Sequence, residues 1–239
     1  MGGKDNFAAD REVAAKLLAV APEAGEAMRE NRQFLARATR WVAGHGVSQF
    51  IDLGCGMPTE PNTHGSARAA AAEPRVAYVD IDPVVLAHQR ALAAHGNEGV
   101  TVIDGDVREV PAILDAVAAN VDLSQPACLL VGSLLHFFPA DDARALVKGY
   151  VAALAPGSYL VASIAIGEGE AADEAFSTYN SAGIALNNFS VADVSSFFRS
   201  LTLAEPGIVD PRRWHPDEAL TEPISQRSGR YLVGVARVD

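Results

Sequence analysis

The chain has 239 residues, 49% of them hydrophobic and 21% charged, ordinary proportions for a globular protein able to bury a full core. Its net charge of −11, with Lys4, Lys16 and Lys148 as the only lysines and no basic stripe, excludes a general affinity for nucleic acid or anionic membrane. No apolar run approaches the roughly 20 residues that span a bilayer.

Met1-Gly2-Gly3-Lys4-Asp5-Asn6 lacks the basic-then-apolar layout of a signal peptide, and Asn6 stands where a myristoylation motif wants Ser or Thr. Cys55 and Cys128, both expected inside the core sheet region, offer neither a disulfide framework nor a zinc pattern, so no metal is expected. The plain expectation is a cytoplasmic protein.

Val13, Leu17 and Leu18, then Phe34, Leu35, Ala38, Trp41 and Val42, recur at helical spacing over 10–45. Pro22 and Gly25 are expected to break this stretch into two helices, and the glycines around His45 to end the second. Strands are then predicted at 49–53, 76–80, 100–104, 127–132, 158–166, 201–205 and 230–237. Helices fall between them at 64–73, 83–95, 107–120, 141–154, 171–183 and 190–199, the last opening on a near capping box, Ser190 with Asp193. Such alternation means an α/β fold with an open, mainly parallel sheet and helices on both faces. The late strand, reached through the Pro-rich stretch Pro206–Pro223, suits one reversed strand near the sheet edge. No linker or repeat is evident, so 1–239 reads as one domain, a helical cap (1–45) on a Rossmann-like core (46–239).

The chemistry concentrates at strand ends. The first strand runs Gln49-Phe50-Ile51-Asp52-Leu53 into Gly54-Cys55-Gly56, a turn that lets bare backbone N–H groups approach a nucleotide-like ligand. The second ends in Asp80, where a ribose is usually gripped. The third ends in Asp104-Gly105-Asp106, of which Asp106 is the favoured ligand and Asp104 a turn residue. A dinucleotide fingerprint needs a third glycine, but Met57-Pro58-Thr59 follows Gly56. Carboxylates ringing a site also repel phosphates and suit a cationic ligand with free hydroxyls and amines. S-adenosyl-L-methionine has that chemistry. The alternatives are an NAD-dependent oxidoreductase, disfavoured also by the lack of a Tyr-x-x-x-Lys pair, and a non-catalytic S-adenosylmethionine-binding protein.

These residues resemble the class I S-adenosylmethionine-dependent methyltransferases, and more closely an actinobacterial-type S-adenosyl methyltransferase family of mostly unassigned substrate. The matching segments are GGKDNFAADRE (2–12), NRQFLARATRWV (31–42), QFIDLGCGMPTEPNTH (49–64), VAYVDIDPVVLAHQRAL (76–92), LLVGSLLHFFP (129–139) and LAPGSYLVAS (154–163). The resemblance implies a seven-stranded sheet with the last strand antiparallel. It implies that Asp52, Gly54, Cys55 and Gly56 surround the methionine part of the cofactor. Asp80 would bind the ribose hydroxyls, Ile81 would pack on adenine, and Asp106 with the Val107 amide would meet the adenine edge. Gly132 and Ser133 would line the site after strand four. The family pattern starts further upstream than Met1, with tyrosines of a cofactor lid, and has a His where this chain has Ile164.

Beyond the cofactor, His136 follows the fourth strand, where this fold presents the methyl group, and could orient or deprotonate an acceptor. Asn62 and His64 either touch the cofactor's amino-acid end or pin the N-terminal helix through Asn31, and the pinning role is favoured. Tyr179 and Asn180 are acceptor-site candidates, Cys55 is a packing residue rather than a nucleophile, and removing Asp80 is expected to weaken the ligand while sparing the fold. Trp214 and His215 carry no assignment. The expected reaction is methyl transfer to an oxygen or nitrogen of a small-molecule acceptor, with no nucleic-acid or membrane partner, and a homodimer is one assembly open to the chain.

Overall fold

The computed structural model describes residues 24–93, 98–167, 169–181, 183, 185–217 and 229–239. The first of the two helices expected before the sheet lies outside the described residues. The second, α1 (Ala24–Gly44), carries Gly25 in its first turn, and the break expected at Pro22 and Gly25 falls at the edge of the described residues.

A seven-stranded sheet follows, built from β1 (Gln49–Leu53), β2 (Arg75–Asp80), β3 (Val100–Asp104), β4 (Cys128–Gly132), β5 (Tyr159–Gly167), β6 (Thr202–Leu203) and β7 (Gly229–Arg237). Its order is β3-β2-β1-β4-β5-β7-β6. The pairs among β1 to β5 are parallel, while β7 runs antiparallel to β5 from Tyr159↔Arg237 to Gly167↔Gly229. The strand expected at 201–205 shrinks to two residues on β7. Pro206 has no N–H to extend the ladder.

Helices α2 (Thr63–Arg68), α3 (Pro83–Ala93), α4 (Val110–Val117), α5 (Ala140–Val151), α6 (Glu170–Ser181) and α7 (Val191–Phe197) fill the intervals. Ser190 and Asp193 form the anticipated capping box at α7. Asp82 accepts from the Val84 N–H (2.8 Å), placing a cap at the start of α3. Helix α2 stops short of the expected 73 because the chain must return to bring Arg75 beside Gln49. Pro74 disfavours helical backbone at Glu73 as well.

The strands alternate between two apolar layers. Ile51, Leu53, Val79, Leu129 and Val131 pack with α4, α5 and α7 on one face, whereas Phe50, Val76, Tyr78, Cys128 and Leu130 pack under α1 on the other. That period of two, buried on both sides, is why the strands read as near-continuous apolar runs. Trp214, which carried no assignment from the sequence, is fully buried in the α1 layer. It meets Phe34 edge-on at 5.4 Å and Trp41 at 5.7 Å, and its carbonyl accepts from Arg37 Nε (3.2 Å). Pro211 and Trp214 thus clamp α1 against the sheet.

Candidate active site

A cavity of about 720 Å³ opens along the carboxyl ends of the parallel strands. Its lining runs from Asp106 after β3 to Tyr231 at the start of β7, five inter-strand steps or about 24 Å. Asp52, Gly54, Cys55, Gly56, Asp80, Ile81, Asp106, Val107, Gly132, Ser133 and His136 all line it.

The Gly-x-Gly turn is tied to β2 and α3. Gly54 sits at φ +62°, and a Cβ there would come within 2.7 Å of Leu134 Cδ1, so only glycine fits. Asp80 Oδ2 accepts from the Gly56 N–H (2.9 Å), while its Oδ1 accepts from the Ile81 (2.9 Å) and Asp82 (3.0 Å) N–H groups. Gln89, reaching back from α3, donates to the Gly56 carbonyl (2.9 Å). Asp80 is therefore a ligand candidate that also knits two turns together. Beside it Ile81 is 62% exposed, an apolar platform at the rim.

Asp52 is half-buried and accepts from the Thr63 hydroxyl (2.6 Å) at the start of α2. Burial pushes its pKa up to about 6, against the opposing effects of the Thr63 bond and the Arg32 charge. The Cys55 thiol is pushed up by burial and by Asp52 and Asp80, so it stays protonated and is no nucleophile. Of the third pair, Asp104 is exposed and lies off the cavity lining, whereas Asp106 lies on it. Arg108 grips Asp106 through Nε and a terminal nitrogen and holds its pKa below the usual range. Among the described residues no acceptor is bonded to the Val107 N–H, while its carbonyl accepts from Tyr150 (2.9 Å).

Beyond the turn, Ser133 adopts φ +55°, a strained value for a residue other than glycine. Its N–H is shared between Ser163 Oγ (3.1 Å) and Ser163 carbonyl (3.0 Å), and its Oγ accepts from Asn31 Nδ2 (2.7 Å). His136 is 6% exposed, and burial lowers its pKa to about 4, so its ring is neutral at physiological pH. Its Nδ1 has no partner among the described residues. Phe137, Phe138, Phe176 and Leu186 complete the apolar wall on this side.

Three expectations change. Asn62 caps its own helix by accepting from the Gly65 N–H (2.7 Å), and His64 pairs with the Tyr78 hydroxyl (3.0 Å). Neither reaches Asn31, which goes to Ser133 instead. Asn180 is off the cavity and brackets Leu186 through both main-chain groups (2.8 and 3.3 Å), and the Tyr179 side chain lies outside the described residues. Cys55 sits in the site turn, partly exposed, with only Cys128 in the sheet core. Sequence reasoning missed Thr63, Gln89, Arg32 and Tyr231 as site residues. No local pattern marks them, because each reaches the cavity from an element distant in sequence.

A Rossmann-like sheet with this strand order, its acidic strand ends gathered on one cavity, defines a class I methyltransferase fold. The S-adenosyl methyltransferase family model matches residues 1–239, so the chain belongs to that family. A candidate methyltransferase from Thermobifida fusca YX is 36% identical, covering 99% of this chain and 91% of its own, with TM-score 0.91. A DUF574 family protein from Streptomyces avermitilis is 33% identical over 100% of this chain and 94% of its own, also at TM-score 0.91. The 1,6-didemethyltoxoflavin-N1-methyltransferase of Burkholderia thailandensis, with S-adenosylhomocysteine bound, shares the fold at 17% identity and TM-score 0.55, covering 99% of this chain and 94% of its own. No curated protein matches the chain.

The protein is an S-adenosylmethionine-dependent methyltransferase, and the NAD and non-catalytic alternatives fall away. The residues fit that cofactor. The cavity gathers carboxylates for a cationic ligand, an exposed Ile81 for a flat ring, and at Gly56 a turn where an added Cβ would meet nothing within 4 Å. No helix among the described residues is long and apolar enough to cross a membrane, and no metal-binding cluster occurs among them.

Proposed function

We propose that the enzyme methylates an oxygen or nitrogen atom of a small-molecule acceptor held between His136 and the aromatic wall. The carrying observation is that the cavity continues past the carboxylate-lined turn to Phe137, Phe138, Phe176 and His136, leaving a second, apolar compartment. When bound, the cofactor supplies an electrophilic methyl group on a sulfonium.

The chain's own residues then bind and orient. Asp52, Gly54, Cys55 and Gly56 surround the methionine part, with Gly132 and Ser133 closing it from β4. Asp80 takes the ribose hydroxyls through Oδ2, where its three backbone bonds leave one lone pair over. Ile81 packs on adenine, and Asp106 with the Val107 N–H meets the adenine edge. A neutral, buried His136 is a poor proton acceptor at physiological pH, so it serves to orient an acceptor hydroxyl or amine by a hydrogen bond. In-line methyl transfer needs no covalent enzyme intermediate, so positioning and electrostatics carry most of the acceleration. The net charge of −11 and an apolar, aromatic-walled compartment favour a small molecule over a nucleic acid. The 1–239 chain acts as one methyltransferase domain.

Methyl-labelled S-adenosylmethionine offered with separate small-molecule, RNA and protein fractions of one cell extract tests this reading. Label on oxygen or nitrogen of a small molecule is expected. Label confined to RNA or protein overturns it.

A further inference from the structure

Helix α1 brings two neighbouring polar residues, Asn31 and Arg32, to the cavity over the end of β4. Asn31 is 6% exposed and commits its Nδ2 to Ser133 Oγ at 2.7 Å. Its Oδ1 is left buried without a partner among the described residues. An orphaned buried acceptor is costly unless something donates to it.

Arg32 is half-buried, and among the described residues no carboxylate forms an ion pair with it. Its charge nonetheless acts on both Asp52 and Tyr231. In a chain of net charge −11, a guanidinium kept inside a cavity without an ion-pair partner calls for an anion from outside. Leu35, one turn on, presses within 2.7 Å of where a Gly132 Cβ would stand, so α1 lies directly on this end of the site. An orphan acceptor, the half-buried carboxylate of Asp52 and a cation with no ion pair among the described residues therefore surround one compartment. A group carrying an ammonium and a carboxylate on one carbon satisfies all three.

We infer that α1 recognises the amino-acid end of the cofactor, with Arg32 binding its carboxylate and Asn31 Oδ1 accepting from its ammonium group. The inference rests on the cofactor assignment of this cavity.

Calorimetric titration with S-adenosylhomocysteine and with 5′-methylthioadenosine, which keeps the nucleoside and sulfur but lacks the amino-acid end, tests it. Wild type is expected to bind the first at least tenfold more tightly. Arg32→Met should lose about tenfold or more for S-adenosylhomocysteine, leave methylthioadenosine within about twofold, and be partly rescued by Arg32→Lys. The fitted stoichiometry counts folded molecules, so a folding defect does not imitate the result. Unchanged S-adenosylhomocysteine affinity in Arg32→Met, equal loss for both ligands, or no wild-type preference between them overturns the inference. Wild type binding neither compound overturns the cofactor reading itself, and the inference with it.

Discussion

The two ends of the cavity are built on different principles. At the ends of β1, β2 and β3 the carboxylates are already held by the chain. Asp80 receives three backbone N–H groups, Asp52 a hydroxyl and Asp106 a guanidinium. Toward the aromatic wall formed by Phe137, Phe138 and Phe176 the side chains are apolar, and His136 Nδ1 has no partner among the described residues. A prebuilt half suits a ligand common to a whole family, while a half of apolar walls and an orphan atom acquires its partners only from the molecule that enters. Fixed dipoles are preorganised, and open ones select.

Replacing His136 probes the open half most severely. His136→Ala is expected to lower kcat by about 10²-fold, at the lower end of what a hydrogen-bonding catalytic group contributes, while S-adenosylhomocysteine affinity stays within about twofold. Steady-state kinetics paired with calorimetry checks this. With a pKa near 4, the histidine should leave no inflection in kcat between pH 5 and 8. Loss of cofactor binding instead would move His136 into the prebuilt half and blur the contrast.

Asp80→Ala tests the prebuilt half. Affinity for S-adenosylhomocysteine should fall about tenfold or more, each charge-assisted bond contributing roughly 1.5–3 kcal/mol. The sequence alone predicted an unchanged apo melting temperature, but three N–H groups lose their acceptor here. The apo midpoint should therefore drop, at about 2–4 °C per kcal/mol for a chain of this size. An unchanged midpoint would mean water replaces the carboxylate without loss.

Asp52 gives the mildest effect, a pH dependence. Its pKa of about 6 in the free protein lies above the unfolded value of 3.8, because burial disfavours the charge. A cationic ligand end beside it favours the carboxylate, so binding below pH 6 must expel a proton. Cofactor affinity should rise about tenfold from pH 5 to pH 7 and flatten above. Stability of the apo protein runs the other way. The contribution of protonated Asp52 is present below about pH 4 and lost as pH rises through 6. Asp52→Asn should remove both trends, as titrations and melts across this range would reveal. A steep affinity rise that persists in Asp52→Asn would assign it to another group.

The sequence by itself determined the strand ladder, the reversed β7 and the acidic strand ends. Those features depend on local signals: apolar runs with a period of two, turn glycines, and carboxylates immediately after a strand. Of the Asp104–Asp106 pair, the one the sequence favoured, Asp106, lies on the cavity lining, and Cys55 packs beside the α1 layer. Only the tertiary structure decided what reaches the cavity from afar. Arg32 and Asn31 arrive on α1, Thr63 on α2, Gln89 on α3 and Tyr231 on β7. Trp214, silent in the sequence, became the buried anchor of α1. Chain direction and face follow from neighbouring residues. Which distant side chains meet is settled by how helices close over the sheet, where packing across a hundred residues outweighs any local preference.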